Sequence, residues 1–259
     1  MGLKLVPSEC IVGLEGCRAN VVSALARNLP ACARAPRRKS PLAIVGSAPS
    51  VAGYLDELRM WPGEIWAING AYNYLLSQYI VPDGFVGLDP VPGLADYVRD
   101  HRPETTFYIS SVCDPAVFDT LSGAHVWLWH SKMVGIEYPA NSYIVSGGTT
   151  CLTRAPLLAN LLGWRDITIY GADSSFAEGP YCYPHGTYAE DTQAKTMVVR
   201  CNGEIFRTEL ALVKQVSQLG ALSAFLPGLK FRCGGLLAAF LNSPERPLSD
   251  FGDYSPEAA

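Results

Sequence analysis

Two glycine-containing turns in this chain carry the residue types that hold phosphates. Gly46-Ser47-Ala48-Pro49-Ser50 follows the apolar run 42–45, and Ser146-Gly147-Gly148-Thr149-Thr150 opens the leucine-rich stretch 149–162. Backbone N–H groups at the start of a helix lack intrahelical partners and attract anions. Gly46 permits a tight turn and close backbone approach, Pro49 suits a helix's first turn, and the hydroxyls of Ser47, Ser50 and Thr149 can donate to phosphate. The first turn has no lysine, so it is not a Walker loop, and it is not a full dinucleotide fingerprint. Ordinary tight turns and Ser/Thr helix caps would use the same residues.

Asn69, Asp89 and Asp173 each follow an apolar run with strand character. Ligands of open α/β sheets bind outside the carboxyl ends of the strands, so three polar residues there converge on one rim. The two carboxylates could hydrogen-bond sugar hydroxyls, or hold Mg²⁺ between donor phosphates. Of the four histidines, His185 is the one placed to act as a base. It follows Asp173 in a long aperiodic stretch, among Tyr181, Tyr183 and Tyr188, and its near-neutral pKa suits it to take a hydroxyl proton. His101 reads as solvated, and His125 and His130, flanking Trp127 and Trp129, read as structural.

These residues need a frame. Strand character is expected at 42–45, 64–68, 84–88, 105–109, 124–128, 167–170 and 229–232, and helices near Ser50, Ala71, Val91, Pro115, Gly148, Arg207 and Gly234. Alternating strands and helices specify an α/β fold, a Rossmann-like, mainly parallel sheet with helices on both faces. Pro156 should kink or restart the helix over 149–162. Residues 174–193 form an aromatic-rich loop of the kind used for binding or as a lid. Residues 1–41 read as a helical appendage (20–29) and linker, 42–241 as the nucleotide-binding α/β domain, and 242–259 as a flexible tail.

The chain has 259 residues, 49% of them hydrophobic, and a formal net charge of −4. The acidic balance disfavours a nucleic-acid acceptor, with the cluster Arg34, Arg37, Arg38 and Lys39 read as a solvated linker. No stretch has the length and apolarity of a membrane span, and eight scattered cysteines without a C-x-x-C pair suggest reduced thiols in a cytoplasmic protein. The aromatic loop could pack on a sugar or on a second subunit, and a homo-oligomer is expected.

Gly46-Ser47-Ala48-Pro49-Ser50, Ala67-Ile68-Asn69, Ser146-Gly147-Gly148 and Gly171-Ala172-Asp173 resemble the 6-hydroxymethylpterin diphosphokinase MptE-like family. That family is related to motility accessory factors and to small bacterial sialyltransferases with a nucleotide-binding α/β fold. The resemblance implies that Gly46 to Ser50 form a donor loop, that Asn69 and Asp89 contact the donor, and that Ser146-Gly147 opens the long helix. It also implies that His185 is the general base and that Cys233-Gly234-Gly235 closes the nucleotide site. Ser175 stands where the sialyltransferases have a tyrosine.

The expectation is a nucleotide-dependent transferase, foremost a glycosyltransferase moving a sugar from a CMP- or UDP-type donor to a hydroxyl acceptor. Gly46, Ser47, Ala48, Ser50, Asn69, Asp89, Ser146, Gly147, Gly148, Thr149, Gly234 and Gly235 would bind the donor, with His185 and Asp173 on the catalytic side. One alternative is a Mg²⁺-ATP pyrophosphokinase acting on a pterin-like alcohol, with Asp89 and Asp173 as metal ligands. The other is a nucleotide-binding protein without catalysis.

Overall fold

The computed structural model describes residues 12–176 and 196–243, with the backbone of 255–256. The chain begins with α1 (Gly13–Ala26) and enters the sheet at β1 (Leu42–Val45), followed by a 3-10 turn (Pro49–Tyr54) and α2 (Leu55–Arg59). Next come β2 (Glu64–Ile68), α3 (Ala71–Ser77), β3 (Gly84–Gly87), a second 3-10 turn (Pro92–Val98), β4 (Thr106–Ser110), α4 (Pro115–Thr120) and β5 (His125–Ser131). A short β6 (Ile144–Val145) leads into α5 (Cys151–Leu161) and β7 (Ile167–Tyr170). The last elements are the antiparallel pair β8 (Thr196–Cys201) and β9 (Glu204–Glu209), α6 (Leu210–Phe225), β10 (Leu229–Arg232), α7 (Gly235–Asn242) and β11 (Ser255–Pro256).

Eight strands form one sheet in the order β10-β7-β1-β2-β3-β4-β5-β6, and every pair in it is parallel. Strands β1, β2, β3, β4 and β7 are buried almost throughout, which is why they read as apolar runs rather than alternations. Successive residues still face opposite layers. Ile44, Trp66, Val86 and Tyr108 pack with Leu152, Leu158, Val216 and Leu237, from α5, α6 and α7. Ala43, Ala67, Phe85 and Phe107 pack with Leu58, Leu75, Val98 and Phe118 on the other face. Each such fully buried aliphatic or phenyl side chain stabilises the fold by about 1.5–3 kcal/mol.

The chain winds outward from β1 to β6, then returns to the other side of β1 as β7. The strand order therefore reverses between β1 and β7, and helices leave the two strands on opposite faces. The crevice this opens at their carboxyl ends is where doubly wound sheets bind ligands.

Several details depart from the sequence expectations. The helix before Leu42 spans Gly13–Ala26 rather than 20–29, and the segment packs against the sheet: Cys17, Val21 and Ala24 are buried, and Cys32 N–H donates to Leu128 O at 2.7 Å. Arg38 is no solvated linker residue, because its guanidinium lies 3.8 Å from the Trp164 ring centroid and pairs with Glu64 at 2.8 Å. Cys17 is disulfide-bonded, against the expectation of reduced thiols, while Cys32, Cys113, Cys151, Cys201 and Cys233 are free. α5 runs through Pro156 without a restart. The helix expected near Arg207 begins at Leu210 instead, because residues 204–209 pair with β8. No helix among the described residues is long and apolar enough to cross a membrane.

Candidate functional site

The turn after β1 and the turn after β7 are pressed together at the strand reversal. A Cβ on Gly46 would lie 2.5 Å from Gly171 O, and one on Gly171 would lie 2.2 Å from Val51 Cγ2. Gly171 also has φ +64°, so glycine is required there twice over. Ala48 N–H donates to Gly171 O at 3.3 Å. Ser47, between them, has neither its N–H nor its hydroxyl engaged by a described residue, and it is half-exposed at the crevice.

Asp173 is the clasp of this region. Its Oδ2 accepts from Ser50 N–H at 3.0 Å, and its Oδ1 accepts from Ser50 Oγ at 2.5 Å and Gly234 N–H at 2.8 Å. One carboxylate thus ties the loops after β1, β7 and β10. The start of α7 is held in the same way, with Leu236 N–H donating to Ser175 Oγ at 3.1 Å and Leu237 N–H to Asp173 O at 3.1 Å. Gly235, at φ +57°, would drive a Cβ to 2.3 Å from Ser175 Oγ. The amides of Ser50, Gly234, Leu236 and Leu237 are therefore committed to Asp173 and Ser175 rather than presented to a phosphate. Asp173 is placed to set loop geometry, and both its oxygens already accept protein hydrogen bonds.

Next along the edge, Asn69 ends β2 and Asp89 follows β3. Asn69 adopts φ +48°, a left-handed conformation that Asn tolerates better than most residues. Its Nδ2 donates to Asp89 Oδ2 at 2.9 Å, while its Oδ1 is buried and has no hydrogen-bond partner among the described residues. Burial pushes the Asp89 carboxyl above the usual range, with the Asn69 hydrogen bond pulling the other way. Asp89 Oδ1 takes no hydrogen bond from a described residue and is open to a ligand donor or a cation. Asn20 of α1, which sequence reasoning missed, fixes this turn: its Nδ2 donates to Pro90 O at 3.1 Å and Val112 O at 2.9 Å. Nothing in its local sequence marks it.

The start of α5 differs from expectation. Thr150 caps the helix in a reciprocal box with Thr153, and Thr149 N–H donates to Gln218 Oε1 at 2.9 Å. Gly148 O accepts from Arg154 Nε at 2.9 Å. Thr150 Oγ1 donates to Gln215 Oε1 at 2.8 Å, and Gln215 Nε2 reaches Ser174 Oγ at 3.0 Å, so α6 staples the α5 turn to the β7 loop. The Thr149 amide and the Gly148 carbonyl are thus engaged by Gln218 and Arg154. Ser146 and Gly147 line a cavity of about 330 Å³ with Tyr143, Leu157, Leu161 and Phe225, and no residue of the β1, β2, β3 or β7 loops lines it. The structure brings Ser50, Asp173 and Gly234 together and pairs Asn69 with Asp89; it does not gather Ser146 and Gly147 into the same cavity. His185 lies outside the described residues. Among the described residues no group of three or more His, Cys, Asp or Glu side chains is arranged to hold a metal ion.

Comparison with known proteins fits this arrangement. No curated protein matches the sequence. The structure resembles that of the MAf glycosyltransferase from Magnetospirillum magneticum AMB-1, with a TM-score of 0.66 and 18% sequence identity. The match covers 91% of this chain but 38% of that one, and at this identity it shows a shared fold. The profile of the 6-hydroxymethylpterin diphosphokinase MptE-like family matches residues 19–179, a span that takes in β1 to β7, the Asn69–Asp89 pair and the clasp at Asp173. With more than half of its length matched, and with the strand reversal inside the match, the chain belongs to the 6-hydroxymethylpterin diphosphokinase MptE-like family.

Proposed function

We propose that this protein is a nucleotide-dependent transferase whose donor lies across the carboxyl ends of β1, β2 and β3. The observation that carries the reading is Asn69. A buried amide oxygen without a partner costs about 1–3 kcal/mol, and here it stands in a left-handed turn beside the strand reversal. A ligand donor, such as a ribose hydroxyl or a base N–H, would satisfy it. Asp89 Oδ1 and the unengaged Ser47 amide and hydroxyl supply the neighbouring contacts. The names of the family and of the structural relative support group transfer, since one describes a diphosphokinase and the other a glycosyltransferase.

The reading taken first is glycosyl transfer from a CMP- or UDP-type sugar. The acceptor oxygen attacks the anomeric carbon as the bond to the phosphate oxygen breaks. The nucleotide leaves with that electron pair, and the acceptor proton passes to a base, for which His185 is the candidate. The second reading, pyrophosphate transfer from ATP to a pterin-like alcohol, is favoured by the family description. Mg²⁺ would then be held through Asp89 and the donor phosphates, because Asp173 is engaged with Ser50 and Gly234.

The leaving group separates the two. Incubation with nucleotide sugars should release CMP or UDP, whereas incubation with Mg²⁺-ATP and a pterin alcohol should release AMP in the second case. Ordered nucleotide binding with no release from any donor would overturn both in favour of a non-catalytic nucleotide-binding protein.

A further inference from the structure

The cavity of about 330 Å³ that Ser146 and Gly147 line lies outside the crevice and has a chemistry of its own. Leu157 and Leu161 of α5, Leu222 and Phe225 of α6, and Ile144 of the edge strand β6 give it apolar walls. The helical spacings i, i+4 and i, i+3 set each leucine or phenylalanine pair on one face of its helix. Gly147 lets the backbone close on one wall: at φ +121°, a Cβ there would lie 2.1 Å from Leu157 Cδ1. Ile144 and Phe225 line the cavity and are nevertheless exposed to solvent. An apolar hollow with a few polar groups is the form that small-molecule sites take.

Arg34 is the charged residue of the described lining. It comes from the strap that links α1 to β1, held to β5 by Cys32 N–H on Leu128 O at 2.7 Å and to α5 by Ala35 N–H on Leu161 O at 3.0 Å. The last carbonyls of α5 are served without it. Leu161 O accepts from Ala35, Leu162 O from Arg38 Nε at 3.3 Å, and Asn160 O from Arg165 Nη1 at 2.6 Å. Arg34 is thus not the cation that the helix's carboxyl end requires. It has no ion pair or hydrogen bond with a described residue, whereas Arg18, Arg27, Arg38, Arg59, Arg99 and Arg232 are each paired with a carboxylate. The half-buried Asn160 amide, in the same lining, also bonds no described residue and can donate and accept.

Apolar walls take rings, and a guanidinium takes a carboxylate, sulfonate or phosphate through charge-assisted hydrogen bonds. The volume stands at the low end of the roughly 300–1,000 Å³ usual for ligand pockets, which suits a body of a few rings at most. We propose that this cavity is a second ligand site, for a small ring-bearing monoanion whose charge meets Arg34 and whose rings lie against Leu157, Leu161 and Phe225. Neither the Asn69–Asp89 pair nor the Asp173 clasp contributes to it, so the site stands independently of the nucleotide reading.

Two dyes test it: anilinonaphthalenesulfonate, and phenylnaphthylamine, which is the same ring system without the sulfonate. Both brighten on entering an apolar site, and the full chain should bind both, the anionic dye more tightly. Arg34→Gln should weaken the anionic dye about tenfold, the order of one hydrogen bond to a charged group, and leave the neutral dye unchanged. Phe225→Ala should weaken both. Arg34 and Phe225 are exposed, so the two variants should melt as the wild type does. The site is overturned if the anionic dye binds Arg34→Gln as tightly as wild type, or if that variant weakens both dyes alike. Wild-type affinity for both dyes in Phe225→Ala overturns it too, as does a wild-type protein that binds neither.

Discussion

Asn69 and Asp89 show how a binding role and a stability cost meet in single residues. The Asp89 carboxyl is raised by burial, so the unfolded chain ionises before the folded one as pH rises. Stability is therefore lost from about pH 3.9 upward, and the cost is fully present above the folded pKa. Asp89→Asn should be more stable than wild type at neutral pH, since it keeps an acceptor for Asn69 and buries no charge. That gain should shrink as pH approaches 4 and both states of the wild type become protonated. Thermal unfolding at the two pH values checks this, and an Asn variant less stable at neutral pH would contradict it. At this scale the sequence placed Asn69 and Asp89 at strand ends from the apolar runs before them. It could not show the unpartnered Asn69 oxygen, because burial and pairing are tertiary facts. His130, read from its flanking tryptophans as structural, is buried, paired with Ser111 and packed on the Tyr138 ring.

At the scale of elements, the loops after β1, β7 and β10 behave as one unit joined by Asp173. Asp173→Ala should destabilise by about 1–3 kcal/mol, because it leaves the Ser50 and Gly234 amides without their acceptor. Gly171→Ala should also cost at least about 1–3 kcal/mol, combining the left-handed strain with a Cβ pressed on Val51. Denaturant unfolding measures both, and losses below a few tenths of a kcal/mol would mean that the three loops are not coupled. The buried parallel strands were legible because they are continuous apolar runs bounded by turns. β6 escaped notice because two residues carry no period. β8 and β9 did carry a signal, Asn202-Gly203 at φ +50° and +81°, the residue pair that two-residue hairpin turns favour. Residues 204–209 do not alternate, and the apolar pattern after them placed the helix slightly early. The α5 turn was read as an anion cradle from its glycines and hydroxyls; that Gln218 accepts from the Thr149 amide was not legible, because the partner lies 69 residues away.

At the scale of the molecule, the strand order decides where a ligand can go. The reversal between β1 and β7 exposes a crevice at the carboxyl edge, and the family match and the shared fold both span it. The central claim is that a nucleotide occupies this crevice and is read by Asn69. Asn69→Gly tests it cleanly, since glycine keeps the left-handed conformation while removing the amide. Thermal unfolding of wild type and Asn69→Gly would be followed with CMP, UDP and ATP, each with and without Mg²⁺. A ligand at 100 times its dissociation constant stabilises by about 2.7 kcal/mol. The expected result is a shift of several degrees for wild type with at least one nucleotide, reduced or lost in Asn69→Gly, each shift being taken from that protein's own ligand-free midpoint. Equal shifts in the two proteins, or no shift with any nucleotide, would contradict the claim.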